Sequence, residues 1–136
     1  MKLFRKLDVD RKIFEKVTLI EFEFPDQPQE DDEGNREYKW KIIVEDEIFR
    51  DKKVTKLASQ MLFRLYEGNG KAVYLLGITD DGDALGISEK DLHETLCNIN
   101  DASLQIDCDI ARIKIYKKEG FYISVIRFSK DECNFS

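Results

Sequence analysis

The sequence predicts an α+β (or α/β) fold, a two-layer sandwich in which two main helices cover a mixed sheet of about five or six strands. Three observations support this prediction. Two segments in the first third of the chain alternate between apolar and polar residues, as half-buried strands do. Two later segments repeat apolar residues at helical spacing, and two apolar segments near the C-terminus flank a glycine turn. The predicted order of elements is β-β-α-β-β-α-β-β.

The first half of the chain supplies two predicted strands and the first helix. A strand is expected over residues 17–24, ended by Pro25, and its inward side chains are Ile20, Phe22 and Phe24. A second strand is expected over residues 37–44, and one of its faces carries Tyr38, Trp40, Ile42 and Val44. A helix is predicted over residues 52–67. Its apolar stripe consists of Val54, Leu57, Ala58, Met61, Leu62 and Leu65, and Arg64 lies off this stripe.

The stretch between the two helices carries the turn signals of the chain. Gly68 follows the last apolar-periodic residues, so we expect it to adopt a left-handed conformation that ends the helix, with Gly70 in the same turn. The apolar run of residues 72–78 predicts a strand that is covered on both faces. The Asp-rich turn that follows is expected to place Gly82 at positive φ and to lead into a return strand over residues 84–87.

The second helix and the last two strands are predicted from a capping residue and from the alternation of side chains. Ser88 is expected to cap the second helix, with Asp91 completing a weak capping box. This helix is predicted over residues 89–100, and residues 101–108 either extend it or break it. Two strands are predicted over residues 110–117 and 121–129, joined by a Lys-Glu-Gly turn.

Length and composition predict one domain, residues 1–136. Residues 1–24 are interpreted as an N-terminal extension with one strand, residues 25–36 as an acidic loop, residues 37–130 as the core and residues 131–136 as a tail. The loop contains both prolines of the chain and a block of four acids. We therefore expect it to be mobile and too polar to pack.

The net charge and the spacing of the cysteines limit the partners and the cellular location that the sequence predicts. The net charge of −6 argues against long-range attraction to nucleic acid or anionic lipid, although a local basic face is compatible with it. Cys97, Cys108 and Cys133 show neither disulfide-framework nor zinc-site spacing, which predicts reduced thiols and a cytoplasmic location. No apolar run is long enough to cross a membrane, so we expect no membrane partner. The sequence does not indicate an oligomeric state.

Few residues suggest chemistry. The Gly-Asn-Gly-Lys segment of residues 68–71 leads into a strand rather than a helix, so it is not a phosphate-binding P-loop. His93 is the only histidine and has no nucleophile or base at a recognisable spacing. One predicted strand carries a small basic face, which a solvated edge strand also needs but which makes RNA contact a candidate function. These RNA-binding candidates are Arg112, Lys114, Tyr116, Lys117 and Lys118.

Residues 33–130 resemble a known family. The segment of residues 57–82 reads Leu-Ala-Ser-Gln-Met-Leu-Phe-Arg-Leu-Tyr-Glu-Gly-Asn-Gly-Lys-Ala-Val-Tyr-Leu-Leu-Gly-Ile-Thr-Asp-Asp-Gly. Together with the flanking Glu-Gly-Asn-Arg-Glu-Tyr-Lys-Trp and Leu-Gly-Ile-Ser-Glu segments, it resembles the N-terminal domain of elongation-factor-like GTP-binding proteins, which are related to translation elongation factor 1-alpha. The resemblance implies a role in translation or mRNA turnover. It also implies that a GTPase domain would follow this chain, so we expect no GTP hydrolysis by the chain alone.

The same stretch is more loosely similar to the divergent AlbA domain of Schlafen-like proteins, some of which are metal-dependent ribonucleases. Matched residue by residue, this similarity gives Glu37 as the second of three acids, with the first at Asp32 or Glu33 and the third at Asp80 or Asp81. Such carboxylates would hold Mg²⁺ or Mn²⁺ and activate water. An Asp-rich hairpin turn needs no metal, however, so this is the minority interpretation.

The sequence therefore favours a non-catalytic accessory domain without a cofactor. Its predicted partners are an RNA or a ribonucleoprotein, or a GTPase domain in cis or in trans. The alternatives are a Schlafen-like endoribonuclease and a protein-only interaction module.

Overall fold

The computed structural model describes residues 16–21 and 23–131. Its strands are β1 (Val17–Ile20), β2 (Arg36–Lys39), β3 (Lys71–Leu76), β4 (Asp109–Lys118) and β5 (Phe121–Ser129). Its helices are α1 (Arg50–Glu67) and α2 (Glu89–Gln105), and a 3-10 turn, Glu47–Phe49, leads into α1. The predicted inward orientation of Phe22, residues 1–15 of the predicted extension and residues 132–136 of the predicted tail lie outside the described residues.

The strands form one mixed sheet in the order β1-β4-β5-β3-β2. β1 pairs with β4 and β2 pairs with β3 in parallel, whereas β5 is antiparallel to both of its neighbours. The predicted fold class, a mixed sheet with two helices, is confirmed. β1 belongs to the predicted N-terminal extension, yet it lies in the same sheet as the core strands.

Both helices cover one side of the sheet, here called the inner face. The apolar side chains of α1 and α2 meet those of β3, β4 and β5 in a continuous core that includes Met61, Tyr74, Leu92, Ile113 and Phe128. A smaller cluster lies on the opposite side, the outer face, where Phe24 and Ala84 pack against apolar side chains of the sheet. The outer face is therefore covered at one end, by segments that approach from the loops.

The end of α1 corrects the prediction for Gly68. Gly68 has a φ of −101°, and the left-handed residues are Asn69 and Gly70, with φ of 53° and 92°. The N–H of Gly70 donates to the carbonyl of Leu65 at 2.8 Å and that of Asn69 to Tyr66 at 3.3 Å, which is a Schellman motif. A glycine is needed at position 68 for space, because a Cβ there would lie 1.9 Å from the carbonyl oxygen of Lys71.

The predicted return strand over residues 84–87 is wrong. This segment makes only isolated bridges, from Ala84 to Ile78 and from Ile87 to Tyr122. Gly86 has a φ of 77°, and the N–H of Leu85 bonds back to the carbonyl of Asp83 at 3.1 Å. A left-handed residue and a tight turn interrupt the extended backbone that a strand requires. Ser88 does cap α2 as predicted, accepting from the N–H of Asp91 at 3.2 Å.

Several boundaries also differ from the prediction. β1 is shorter than residues 17–24, and β2 ends at Lys39 rather than at residue 44. Beyond Lys39 the chain leaves the sheet because its backbone bonds to α2: the N–H of Ile42 donates to Thr95 Oγ1 at 3.0 Å, and Asn98 donates to the Ile42 carbonyl at 2.9 Å. α2 extends to Gln105, so part of the undecided stretch is helical.

The acidic loop packs, contrary to the prediction. The N–H of Gln27 donates to the carbonyl of Gly82 at 2.7 Å, and that of Glu30 to the carbonyl of Asp80 at 2.8 Å. The N–H of Ala84 donates to the Asp26 carboxylate at 2.8 Å. The Asp-rich turn and the acidic loop therefore hold each other, and they form the cover at one end of the outer face.

Neither helix of the described part of the chain combines the length and the apolar character needed to cross a membrane.

Candidate nucleic-acid interface

Glu37, the central acid of the predicted metal site, is buried in an ion pair. It lies on β2 facing the inner side, and its carboxylate accepts from Arg64 Nε at 2.7 Å. Both residues are almost fully buried, with 4% of Glu37 and 3% of Arg64 exposed. The second carboxylate oxygen lies 3.5 Å from Lys39 Nζ. Glu37 is therefore occupied by two cations of the chain itself.

Arg64 uses its other nitrogens to hold the acidic loop. Its Nη1 donates to the carbonyls of Glu33 at 3.0 Å and Gly34 at 2.9 Å, and its Nη2 donates to the carbonyl of Asp31 at 2.9 Å. A guanidinium has five N–H donors in a fixed fork, and this geometry satisfies four of them. The loop is thus attached to α1 through its backbone, which explains why its polar side chains do not prevent it from packing.

The remaining predicted acids are placed apart from Glu37. Asp32, Glu33, Asp80 and Asp81 are all exposed, and the loop and the turn contact each other through backbone groups. Among residues 16–21 and 23–131, no group of three or more His, Cys, Asp or Glu side chains is placed to hold a metal ion. The described residues therefore bring together Glu37 and Arg64, and not the five predicted acids.

Glu30 is an acid that the sequence argument missed. Its carboxylate accepts from the N–H of Tyr38 on the free edge of β2 and lies 4.0 Å from Arg64 Nη2. Burial raises the pKa of Glu30, and the nearby Glu37 and Asp80 raise it further, against the lowering effect of the Tyr38 bond. Glu30 covers an edge-strand donor, which is a structural role.

The five predicted RNA-binding residues do not share one surface. Lys117 points to the inner side, where it lines an apolar groove with Leu19 and Tyr122. Lys118 donates its ammonium to the carbonyl of Ala84. Tyr116 packs on Phe24, with ring centroids 5.0 Å apart. Of the five, Arg112 and Lys114 lie on the end of the outer face that no other segment of residues 16–21 and 23–131 is seen to cover.

Further cations join Arg112 and Lys114 through the sheet register. Arg112 pairs with Arg127, Arg127 with Val73, and Val73 with Arg36, so these residues form one row across four strands. Lys114 lies in the row on one side of the arginines, where it pairs with Val125. Lys71 lies in the row on the other side, two residues before Val73 on β3. Because paired residues share a face and neighbouring strands lie about 4.8 Å apart, the side chains converge on one surface. This cationic face consists of Arg36, Lys71, Arg112, Lys114 and Arg127.

A β-bulge between Ile110 and Arg112 creates this alignment. The ladder pairs Ile110 with Phe128 and then Arg112 with Arg127, so one extra residue, Ala111, is inserted. Without the insertion, Arg112 would fall opposite Ile126 in the core. With it, Ile113 takes the core position opposite Ile126, and Arg112 turns to the outer face.

The charges of the cationic face are largely uncompensated. Within the described residues, Arg112, Lys114 and Arg127 take part in no ion pair, and Arg36 donates only to the neutral Gln27 side chain at 3.2 Å. Asp109 is the nearest acid in register, opposite Ser129 at the end of the same face. Three guanidinium groups in a row can each donate two hydrogen bonds to the oxygens of a phosphate. The arrangement can therefore bind a phosphate backbone.

Sequence reasoning missed Arg36, Lys71 and Arg127. Arg127 does have a signal, because it continues the alternation of Ile123 and Val125 on β5. Arg36 and Lys71 have no local signal, since each is the first residue of its strand and only the pairing of β2, β3 and β5 places them together.

Comparison with known proteins relates part of the chain to a GTP-binding protein. Over 90 residues the chain is 31% identical to GTP-binding protein 2 of Mus musculus and to GTP-binding protein 2 of Homo sapiens. The matched segment is 66% of this chain and 14% of the length of each relative. No protein-family model matches the chain, and no solved structure matches it significantly.

The predicted resemblance is therefore confirmed at a coarse level. The chain contains a region related to part of a GTP-binding protein. The finer relations, to elongation factor 1-alpha and to Schlafen-like domains, stay predictions.

Proposed function

We propose that this chain is a non-catalytic accessory domain of a GTP-binding protein, and that it contacts RNA or a ribonucleoprotein through the cationic face. The similarity to a 14% portion of GTP-binding protein 2 supports the accessory role, because most of that protein lies outside the match. The observation that carries the RNA contact is the row of Arg36, Arg127 and Arg112 across the sheet.

The composition of this face favours the phosphate backbone over the bases. Its charged groups are arginines and lysines, and the side chains between them are the aliphatic Val73 and Val125. Tyr116, the predicted aromatic partner, is engaged by Phe24 rather than free to stack on a base. Backbone contacts fix position without reading sequence. We therefore expect binding with little sequence preference and a strong dependence on salt.

Fluorescence anisotropy with a labelled single-stranded RNA tests this function. With five cations on the face and about 0.7 counterions released per phosphate contact, log K should fall with log salt at a slope of about −3.5. The double substitution Arg112→Glu and Arg127→Glu should reduce binding at least tenfold at low salt. The matched control is Lys90→Glu with Lys117→Glu, which changes the net charge equally but leaves the cationic face intact. Equal loss in both variants would mean that net charge, and not this surface, controls binding.

Contact with a GTPase domain is a second candidate function, favoured by an apolar patch. Trp40, Leu85 and Phe121 are exposed by 49%, 55% and 49%. They are contiguous, because Trp40 Nε1 donates to the carbonyl of Gly86 at 3.2 Å and Gly86 packs against Phe121. Calorimetric titration with the GTPase portion of human GTP-binding protein 2 tests it, with Leu85→Ser and Phe121→Ser expected to weaken the heat signal. No heat with the unmodified chain would contradict this contact.

A further inference from the structure

A second group of positively charged side chains lines a cleft. This cleft lies on the inner side of β2, whereas the cationic face lies on the outer side. The cleft lies between α1 and the segment that follows β2, and its volume is about 270 Å³. Four of its lining residues are lysines, and this lysine cleft is lined by Lys39, Lys41, Ile42, Ile43, Lys53, Lys56, Leu57 and Gln60. Lys53, Lys56 and Gln60 follow one another along one side of α1.

The walls of the lysine cleft are fixed by buried contacts. Ile42 is held on both backbone groups, since Thr95 accepts from its N–H at 3.0 Å and Asn98 donates to its carbonyl at 2.9 Å. Thr95 and Asn98 are buried on α2. Lys53 Nζ donates to the carbonyl of Ile43 at 2.9 Å, which ties the segment to α1. The lysines therefore project from two backbones whose separation is set independently of any ligand.

The charge of the cleft is positive after its own carboxylates are counted. Lys41 pairs with Asp91 at 3.2 Å, and Lys39 lies 3.5 Å from Glu37, whose other oxygen is held by Arg64. Lys56 takes part in no ion pair within the described residues. A cleft lined by one sign of charge over an apolar floor, here Leu57 and Ile42, focuses the field and concentrates counter-ions.

We infer that the lysine cleft binds a compact polyphosphate, meaning a chain of two or three phosphate groups. The volume of about 270 Å³ is near the lower end of the range for small-ligand sites, which suits such a chain and is small for a folded nucleic acid. Ammonium groups bind phosphate as point charges, and the Gln60 side chain offers an amide donor. None of the described residues that line the cleft has an aromatic side chain to stack on a base. A nucleoside triphosphate should therefore bind through its phosphates alone, with GTP and ATP equivalent.

The test is calorimetry of the full-length chain with inorganic tripolyphosphate, pyrophosphate and phosphate at matched ionic strength. Affinity should fall in that order, and nitrogen-proton correlation spectra should shift at residues 39–43 and 53–60. Lys53→Gln with Lys56→Gln should weaken tripolyphosphate at least tenfold. The matched control, Lys52→Gln with Lys90→Gln, removes two exposed lysines outside the cleft and should leave the affinity unchanged. GTP, ATP and tripolyphosphate should compete for the same site.

The site would be overturned by the absence of tripolyphosphate binding, by an equal loss of binding in the control variant, or by persistence of binding in the cleft variant. Loss of tripolyphosphate binding in the Arg112→Glu and Arg127→Glu variant would also overturn it, because the cationic face would then be the site. Since the two surfaces are separate, RNA binding and tripolyphosphate binding can fail independently.

Discussion

At the residue scale, the side chain of Arg64 links three parts of the chain that are far apart in sequence. It lies on α1, pairs with Glu37 on the edge strand β2, and donates to three carbonyls of the acidic loop. A lysine cannot reproduce this pattern, since it lacks the planar fork. The helix position alone predicts a solvated arginine, because Arg64 lies off the apolar stripe. Its burial depends on a loop that folds over it from another part of the chain.

Arg64→Ala should destabilise the protein by about 3–5 kcal/mol, because it leaves the buried Glu37 carboxylate without its main partner. Arg64→Lys should recover only part of that loss. Urea denaturation followed by circular dichroism measures both variants, with the exposed Lys90→Ala as the control. An unchanged midpoint for Arg64→Ala would show that the ion pair and the loop contacts contribute nothing net to stability.

At the element scale, the bulge in β4 places two like charges opposite each other. Arg112 and Arg127 are direct cross-strand partners. Such a pair is destabilising, and opposite charges at the same positions would contribute about 0.2–1 kcal/mol. Apolar residues flank the arginines along the same strands, so packing does not require a charge at either position. The pair therefore costs stability, and the proposed binding of an anion would offset this repulsion.

Arg127→Glu should therefore raise the free energy of unfolding by about 0.2–1 kcal/mol at low salt while weakening RNA binding. A double-mutant cycle sharpens the test, because Arg112→Glu with Arg127→Glu restores a like-charge pair and should lose the gain. The gain should also shrink at high salt. A destabilised single variant would mean that the Arg127 stem packs in a way that glutamate cannot replace.

The Asp-rich turn is a second element whose geometry can be tested. Gly82 has a φ of 95°, and a Cβ there would lie 1.9 Å from the carbonyl oxygen of Gln27. Gly82→Val should therefore destabilise the protein by about 1–3 kcal/mol and loosen the acidic loop. Gly120 is the matched control, since its φ is 86° but no atom lies within 4 Å of its Cβ position.

Denaturation midpoints of Gly82→Val and Gly120→Val separate the two effects. Strain from positive φ is common to both variants, so the excess loss at position 82 measures the contact with the acidic loop. Equal losses would show that the loop moves aside at no cost.

The helices and strands also show which parts of the fold can be predicted from the sequence. Alternation predicts β5 to the residue, and the apolar stripe predicts α1 to within two residues, because these signals are local. The prediction of a return strand is wrong because Gly86 adopts positive φ where its backbone packs against Phe121 and Tyr122. These two residues lie more than thirty positions away in the sequence. The cationic face is likewise assembled by register between strands, which no single segment encodes.

At the scale of the whole molecule, charge is separated by surface. The net charge is −6, yet the cationic face and the lysine cleft are both positive, and exposed acids lie in the acidic loop and the Asp-rich turn. Long-range attraction to a polyanion is therefore weak, and the proposed binding would depend on short-range contacts at the two positive surfaces. Such a protein is expected to associate with RNA slowly and to release it readily as salt rises.

We expect that the purified chain does not cleave tRNA or other structured RNA in the presence of Mn²⁺. A metal site needs carboxylate oxygens about 2.0–2.6 Å from one point. Glu37, the acid on which that site depends, is held by Arg64 and Lys39, and the exposed Asp32, Glu33, Asp80 and Asp81 lie outside its pocket. Removing Glu37 from Arg64 to release it for a metal would take from a buried guanidinium the carboxylate nearest to it.

Gel assays with Mn²⁺ and Mg²⁺ measure this activity. The informative variant is Asp80→Ala with Asp81→Ala, since it removes the predicted third acid without disturbing the buried pair of Glu37 and Arg64. Lys90→Ala serves as an exposed control, and circular dichroism establishes that each variant is folded. Cleavage that requires Mn²⁺, disappears in the double variant and persists in the control would overturn the accessory-domain interpretation in favour of an enzyme. Such a result would also require Glu37 to separate from Arg64, because its carboxylate can join the exposed acids around a shared ion only when the guanidinium no longer holds it.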